Sequence, residues 1–252
     1  MTTKDTEPAP LVGRVAFEEW DFEGLSERHA GKAEANDYRL RARRKLLTMA
    51  KEVAKRAKPL GLALDVRTSV HNPTTFNGMR VRRLWSYATR AKAEKARLKK
   101  TIGADLAKDL DSAYRNAYLC CAVEPDALEV SLRVHPDAWF DGQNLVKRIK
   151  ADGLRPWLEL LNELDGFYLR LHDWKGEWRC GSIEPEQLEE YLRHYTPGEH
   201  RLAVERRWPA PPGMREPVLA DQVPEAMVEE SLRLIPLYRY LAWSKESDHL
   251  FG

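Results

Sequence analysis

The chain reads LEVSLRVHPDAWFDGQN from Leu128 to Asn144. Leu128, Val130, Leu132 and Val134 fall on one side of an extended backbone, with Glu129, Ser131, Arg133 and His135 on the other. A period of two over this length marks a strand that buries one face. The pattern returns in FYLRLHDW, Phe167 to Trp174, where Leu169 and Leu171 alternate with Arg170, His172 and Trp174.

Three hairpins follow from alternation and turn chemistry. Leu62 to Val70 and Met79 to Ala88 are joined by HNPTTFNG, whose Asn-Pro and Asn-Gly pairs are turn signals. Tyr118 to Val123 and Ala127 to His135 turn at Glu124, Pro125 and Asp126, and Gly166 to Trp174 turns at Lys175 and Gly176 into Glu177 to Ile183. His200 to Trp208 is a further strand, with Leu202 and Val204 opposite Arg201, Ala203, Glu205 and Arg207.

Between these strands the apolar spacing becomes helical. Leu46, Ala50, Val53, Ala54 and Ala57 predict an amphipathic helix over Ala33 to Lys58, ended by Pro59 and Gly61. Further helices are predicted over Ala91 to Tyr114 with a kink at Gly103, Trp139 to Leu164 with a break near Gly153 and Pro156, Pro185 to Tyr195, and Pro224 to Leu234. Hairpins alternating with helices define an α+β fold. The expectation is an antiparallel sheet of about six or seven strands built from hairpins, with helices packed mainly on one face.

A chain of 252 residues can bury a full core. The sequence divides into an acidic N-terminal lead-in over 1–30, a single α+β core over 31–210, and a C-terminal extension over 211–252. The extension opens with the Pro-rich PAPPGMREP and carries a helix and the aromatic tail LYRYLAW. No apolar run resembles a signal segment or approaches a membrane span, so the expectation is a cytoplasmic, soluble protein with no membrane partner. Cys120, Cys121 and Cys180 are odd in number and lack CxxC spacing, which fits reduced structural thiols better than disulfides or a zinc site.

The net charge of +2 hides an asymmetry. Arg39 to Lys100 holds 19 Lys and Arg against three acids, a local +16, whereas the remainder holds 22 against 36. Either this segment presents a basic surface to an anionic partner, or acids of the same fold neutralise it. The candidates for anion or nucleic-acid binding are Arg41, Arg44, Lys51, Lys55, Arg80, Arg82, Arg83, Trp85, Arg90 and Lys92. In Arg80 to Lys92 basic residues alternate with Trp85 and Tyr87, a mixture suited to phosphate contact and base stacking. The predicted helix after Arg90 crowds cations at its positive end, which a docked anion would relieve.

A second set of candidates lies on the polar side of the strands: Arg133, His135, Arg170, His172, Trp174 and Arg179. Arginine clamps phosphate or carboxylate and tryptophan stacks, although cross-strand Arg–Glu pairing is the ordinary use of such a face. His135 and His172, each followed closely by an aspartate, would suit a divalent metal only if their strands were neighbours. No GxSxG, P-loop, GxGxxG or zincin spacing occurs, and no metal site or cofactor is assigned. Asp65 with Glu129 lacks the lysine that a metal nuclease would need beside Glu129.

The sequence therefore favours a non-enzymatic binding protein for an anionic ligand, nucleic acid first, with an acidic protein as another such partner. A protein–protein module using the aromatic tail or the sheet face is the alternative, and a metal-assisted hydrolase the second. It sets no oligomeric state.

Overall fold

The computed structural model describes residues 15–171, 176–210 and 222–251. Its centre is a seven-stranded, wholly antiparallel sheet in the order β1-β2-β3-β4-β7-β5-β6. The strands are β1 (Leu64–Thr68), β2 (Leu84–Arg90), β3 (Ala117–Glu124), β4 (Ala127–Val134), β5 (Tyr168–Leu171), β6 (Glu177–Arg179) and β7 (Leu202–Pro209). The α+β expectation holds, and the three hairpins form the pairs β1–β2, β3–β4 and β5–β6. β7 arrives last and inserts between β4 and β5, which joins the hairpins into one sheet.

The helices are α1 (Glu19–Glu23), α2 (Asn36–Ala57), α3 (Lys92–Ile102), α4 (Trp139–Asp152), α5 (Arg155–Asn162), α6 (Pro185–His194), α7 (Gln222–Arg233) and α8 (Ile235–Leu241). Leu46, Met49, Val53 and Ala57 of α2 bury against the sheet face built from Leu119, Cys121, Leu128, Val130, Leu132, Leu169 and Val204. Each buried Leu, Val or Met side chain among them contributes about 1.5–3 kcal/mol. Met227 and Val228 of α7, and Ile235, Leu237, Tyr238 and Leu241 of α8, complete the same core. Val15, Phe17, Phe22 and Leu25 enter it from the N-terminal side. Residues on both sides of positions 30 and 210 thus share one apolar interior.

The structure departs from the sequence expectations in four places. The helix expected over Ala91 to Tyr114 ends at Ile102, because Gly103 takes φ 88° and the Asp-rich stretch after it folds into turns and a 3-10 turn, Ala113–Arg115. β2 begins at Leu84 rather than Met79, since 79–83 lacks ladder pairing and its Arg80 and Arg82 reach Glu27 instead. β6 spans only Glu177–Arg179. The tail Leu237 to Trp243, offered with the sheet face as a surface for the alternative protein–protein module, is largely interior. Leu237, Tyr238, Tyr240, Leu241, Ala242 and Trp243 are all buried, because an aromatic helix this apolar has the core to cover.

Antiparallel register fixes which side chains share the face opposite α2, which over β2 and β3 is covered, among the described residues, only by the turn Ala113–Arg115. One cross-strand row runs Arg67, Tyr87, Cys120, Ser131, Glu205, Tyr168 and Arg179. The next contains Tyr118, Arg133, Ala203, Arg170 and Glu177, and a third Trp85, Ala122, Glu129 and Arg207. Small residues at Cys120, Ala122, Ser131 and Ala203 leave the middle of this face low, and long arginines rise around it.

Candidate functional site

A cleft of about 400 Å³ opens on this face, lined by Arg83, Arg133, Arg170, Arg201 and Arg207 together with Glu124, Glu129, Glu177 and Glu205. The strand alternation puts Glu129, Ser131 and Arg133 of β4 on the same side, and the β4–β7 register brings Glu205 opposite Ser131 and Arg207 opposite Glu129. Arg170 of β5 comes in from the far side of β7.

Two of the carboxylates are buried, Glu129 completely and Glu205 at 5% exposure. Glu129 Oε1 accepts from Arg83 Nη2 at 2.9 Å, Arg133 Nη2 at 2.8 Å and Ser131 Oγ at 2.6 Å. Its other oxygen, Oε2, accepts no hydrogen bond, and Arg207 Nη1 lies 3.7 Å from it. Arg133 Nη2 also donates to Glu205 Oε2 at 2.8 Å, so one guanidinium bridges both carboxylates. Arg170 Nε lies 3.1 Å from Glu205 Oε1 without the alignment of a hydrogen bond.

The two carboxyls are driven apart in acidity. Burial raises Glu129, but the Arg133 and Arg83 guanidiniums and the Ser131 hydroxyl outweigh it and hold this carboxyl well below the ordinary range. Burial and the adjacent Glu129 charge push Glu205 up, against the pull of Arg133, Arg170 and Arg207. One ionised and one more readily protonated carboxylate thus sit under the same arginine.

Beside the cleft lies an aromatic group. Trp85 stands 5.0 Å from Tyr87, 5.7 Å from Tyr118 and 5.9 Å from Tyr114 between ring centroids. Tyr114 reaches His135 at 4.6 Å. Tyr114 is exposed and Trp85 half-buried, so this group presents ring surface to solvent. The two parts meet at Tyr118, whose register partner is Arg133 and whose hydroxyl feels the charges of Arg133 and Arg83.

The sequence candidates separate into distinct places. Arg83 and Trp85 join Arg133 and Arg170 on the free sheet face. Arg41, Arg44, Lys51 and Lys55 form an exposed stripe on the outer side of α2, in the layer that covers the opposite face. Arg80 and Arg82 are exposed and pair with Glu27. Lys92 is exposed at the start of α3. Arg90 is interior, with Nη2 2.6 Å from Asp141 Oδ1. The cations expected to crowd the start of α3 are compensated by folding: Lys95 meets Asp65 and Asp111 at 3.1 and 3.0 Å, and Arg97 meets Glu94 at 2.8 Å.

On the other candidates, Arg179 is exposed and 3.4 Å from Asp165. His135 accepts the Asp137 backbone N–H at Nδ1, 3.1 Å away, and so caps the 3-10 turn Pro136–Ala138. His172 and Trp174 lie outside the described residues. Among the described residues no group of three or more His, Cys, Asp or Glu is placed to hold a metal ion. Burial pushes the Cys120 thiol up and drives Cys121 and Cys180 to about 12. No helix among the described residues is long and apolar enough to cross a membrane.

Sequence reasoning weighed Glu129 only with Asp65 as a nuclease pair and set it aside, and it did not single out Glu205 or Arg207 as site residues. The signal was their place on the polar side of β4 and β7, but only the insertion of β7 beside β4 makes them neighbours. In comparison with known proteins, no family model matches the chain and no curated protein matches it in sequence.

Proposed function

We propose that this is a binding protein that takes an anionic ligand on the free face of its sheet, with single-stranded nucleic acid as the ligand class. The observation that carries the reading is the placement of Tyr118, the register partner of the cleft's Arg133, with its ring 5.7 Å from Trp85, which sets the arginine-lined cleft beside a ring group that includes Tyr114. Arginine clamps phosphate through a planar fork, while aromatic faces stack on bases irrespective of sequence. Such a platform binds through backbone charge and ring surface and needs no base-specific contact. The stripe on α2 has a ring neighbour of its own, Tyr38 under Arg41 at 5.7 Å and stacked on the exposed Trp20, but none of its four cations lines a described cleft, which is why the sheet face takes precedence.

The test is fluorescence anisotropy of a labelled single-stranded oligonucleotide at about 50 and 200 mM salt. Binding should weaken steeply with salt, and Trp85→Ala should cost about 1–3 kcal/mol of affinity. Polyglutamate of equal charge should compete poorly, because it has no bases to stack. An acidic protein as the partner would reverse that order. No binding at low salt overturns the proposal.

The unequal carboxyls on the cleft floor favour a second reading, hydrolysis of a bound anionic substrate, in which water bonds to the electrophilic atom and gives its proton to solvent while the leaving group departs with the proton of Glu205. Turnover abolished by Glu205→Gln with binding retained would support it. Unaltered turnover would dismiss it.

A further inference from the structure

β1 forms one end of the sheet, and among the described residues no strand pairs with its outer side. The Ser69 N–H donates to the Trp85 carbonyl at 2.8 Å, one step beyond β1 in the same register. Antiparallel ladder bonds alternate along a strand, so Asp65, Arg67 and Ser69 turn their backbone groups toward β2. Leu64, Val66 and Thr68 turn theirs outward, and no residue among those described hydrogen-bonds to these outward groups. Every residue of β1 is at least partly exposed, whereas β2 beside it is almost wholly buried. An edge of this kind is a template for another strand unless a proline, a bulge or like charges block it. β1 has neither proline nor bulge, and its two charges are of opposite sign.

The segment Leu62 to Val70, LALDVRTSV, is complementary to its own reverse about Val66. Laid antiparallel on that centre, Asp65 of each strand faces Arg67 of the other, Leu64 faces Thr68, Ala63 faces Ser69 and Leu62 faces Val70. Leu62, Leu64 and Val66 already pack against the core beneath α2, and Val70, 48% exposed, would gain cover. Within one copy Asp65 meets Lys95 at 3.1 Å and Arg67 meets Asp111 at 2.8 Å, yet their side chains stay 38% and 49% exposed. Each can therefore take a second counter-charge across the strands. Centring on Asp65 or on Arg67 instead would set like charges opposite each other.

We infer that β1 is a dimer interface, on which a second copy of this chain adds its own β1 antiparallel about a two-fold axis at Val66. The Val66 N–H of each copy donates to the Val66 carbonyl of the other, and Leu64 and Thr68 exchange bonds in the same way. Two seven-stranded sheets then run on as one. The axis stands normal to the sheet, so both free faces look the same way, and the dimer does not depend on what they bind.

Sedimentation velocity of the full chain over about 1 to 500 µM is the test. A monomer–dimer equilibrium near roughly 10 µM is expected, because a single strand contact is smaller than a standard interface. Hydrogen exchange of the unaltered chain should show the amides of Leu64, Val66 and Thr68 gaining protection as concentration rises. Val66→Pro deletes the central donor where an edge strand tolerates proline, so the thermal melt should hold while dimerisation weakens about 10-fold or more. Asp65→Lys and Arg67→Glu should each be monomeric, since each sets like charges across the axis, and an equimolar mixture of the two should form a heterodimer. A monomer throughout the range, exchange at Val66 that ignores concentration, a dimer kept by folded Val66→Pro, or no heterodimer from the mixture would overturn the inference.

Discussion

Two buried charge clusters lie on opposite sides of the same sheet and are built to different standards. On the covered side, Asp141 accepts from Arg90, from the Ala117 N–H at 2.6 Å and from the Trp243 N–H at 2.8 Å. Arg90 in turn donates to Asn116 Oδ1 at 2.9 Å and to the Trp243 carbonyl at 3.1 Å. This cluster ties β2, β3 and α4 to the segment after α8, and Asp141 satisfies three donors at once. On the free side, Glu129 is just as buried but has one oxygen without a hydrogen bond, in a cleft that opens to solvent past Arg170. A closed, satisfied cluster serves the fold, whereas the open one keeps partly exposed guanidiniums, Arg170 at 41% and Arg207 at 30%, that can meet an anion.

The sharpest way to break this distinction is to remove one partner from each cluster. Asp141→Ala should cost about 3–5 kcal/mol in denaturant unfolding, because it strands the Arg90 charge and two backbone donors in the interior. Pairing it with Arg90→Met should recover much of that loss. A double variant no better than the single would mean that the charges themselves are not what the fold requires.

Glu129→Gln should cost less, about 1–3 kcal/mol, since the amide oxygen still accepts and Arg83 and Arg207 have further carboxylates to hold. The same carboxyl makes a pH prediction. Its folded acidity is stronger than its unfolded acidity, so its stabilisation is complete above the ordinary glutamate value of 4.5 and is lost as pH falls below it. Glu205 has the opposite sign, being more readily protonated when folded, so it subtracts stability as pH rises past 4.5. Urea midpoints measured across acid pH should therefore lose part of their slope in Glu129→Gln and steepen in Glu205→Gln.

The smallest stability effect is expected at Arg170→Gln. Its side chain is 41% exposed, so folding should change by less than about 0.5 kcal/mol while affinity for the anionic ligand drops several-fold. Thermal melts beside binding curves separate the two.

Much of the fold is legible from period-two counting. Leu128, Val130, Leu132 and Val134 announce the interior of β4, and Leu202 and Val204 that of β7. Arg133 and Arg170 were equally readable as outward-facing. What local pattern cannot carry is strand order: Ser131 and Glu205 become partners only because β7 returns more than 70 residues later to pair with β4. The basic segment shows the same limit. Its Arg56 meets Glu225 and Glu229, both at 2.6 Å, acids so distant in sequence that a local charge count treats them as unrelated. Burial of Tyr238 and Trp243 was hidden for another reason, since an aromatic tail looks alike whether it covers its own core or a partner.

The most direct test asks which layer receives the anion. Salt-dependent binding of a single-stranded oligonucleotide would be measured for three proteins: the unaltered chain, a sheet-face variant carrying Arg170→Gln and Arg207→Gln, and an α2 variant carrying Arg41→Gln, Arg44→Gln and Lys51→Gln. The sheet-face variant should lose affinity and reduce the slope of log affinity against log salt by about one unit per phosphate contact removed. The α2 variant should bind like the unaltered chain. Loss confined to the α2 variant would contradict the account and move the ligand to the opposite side of the molecule.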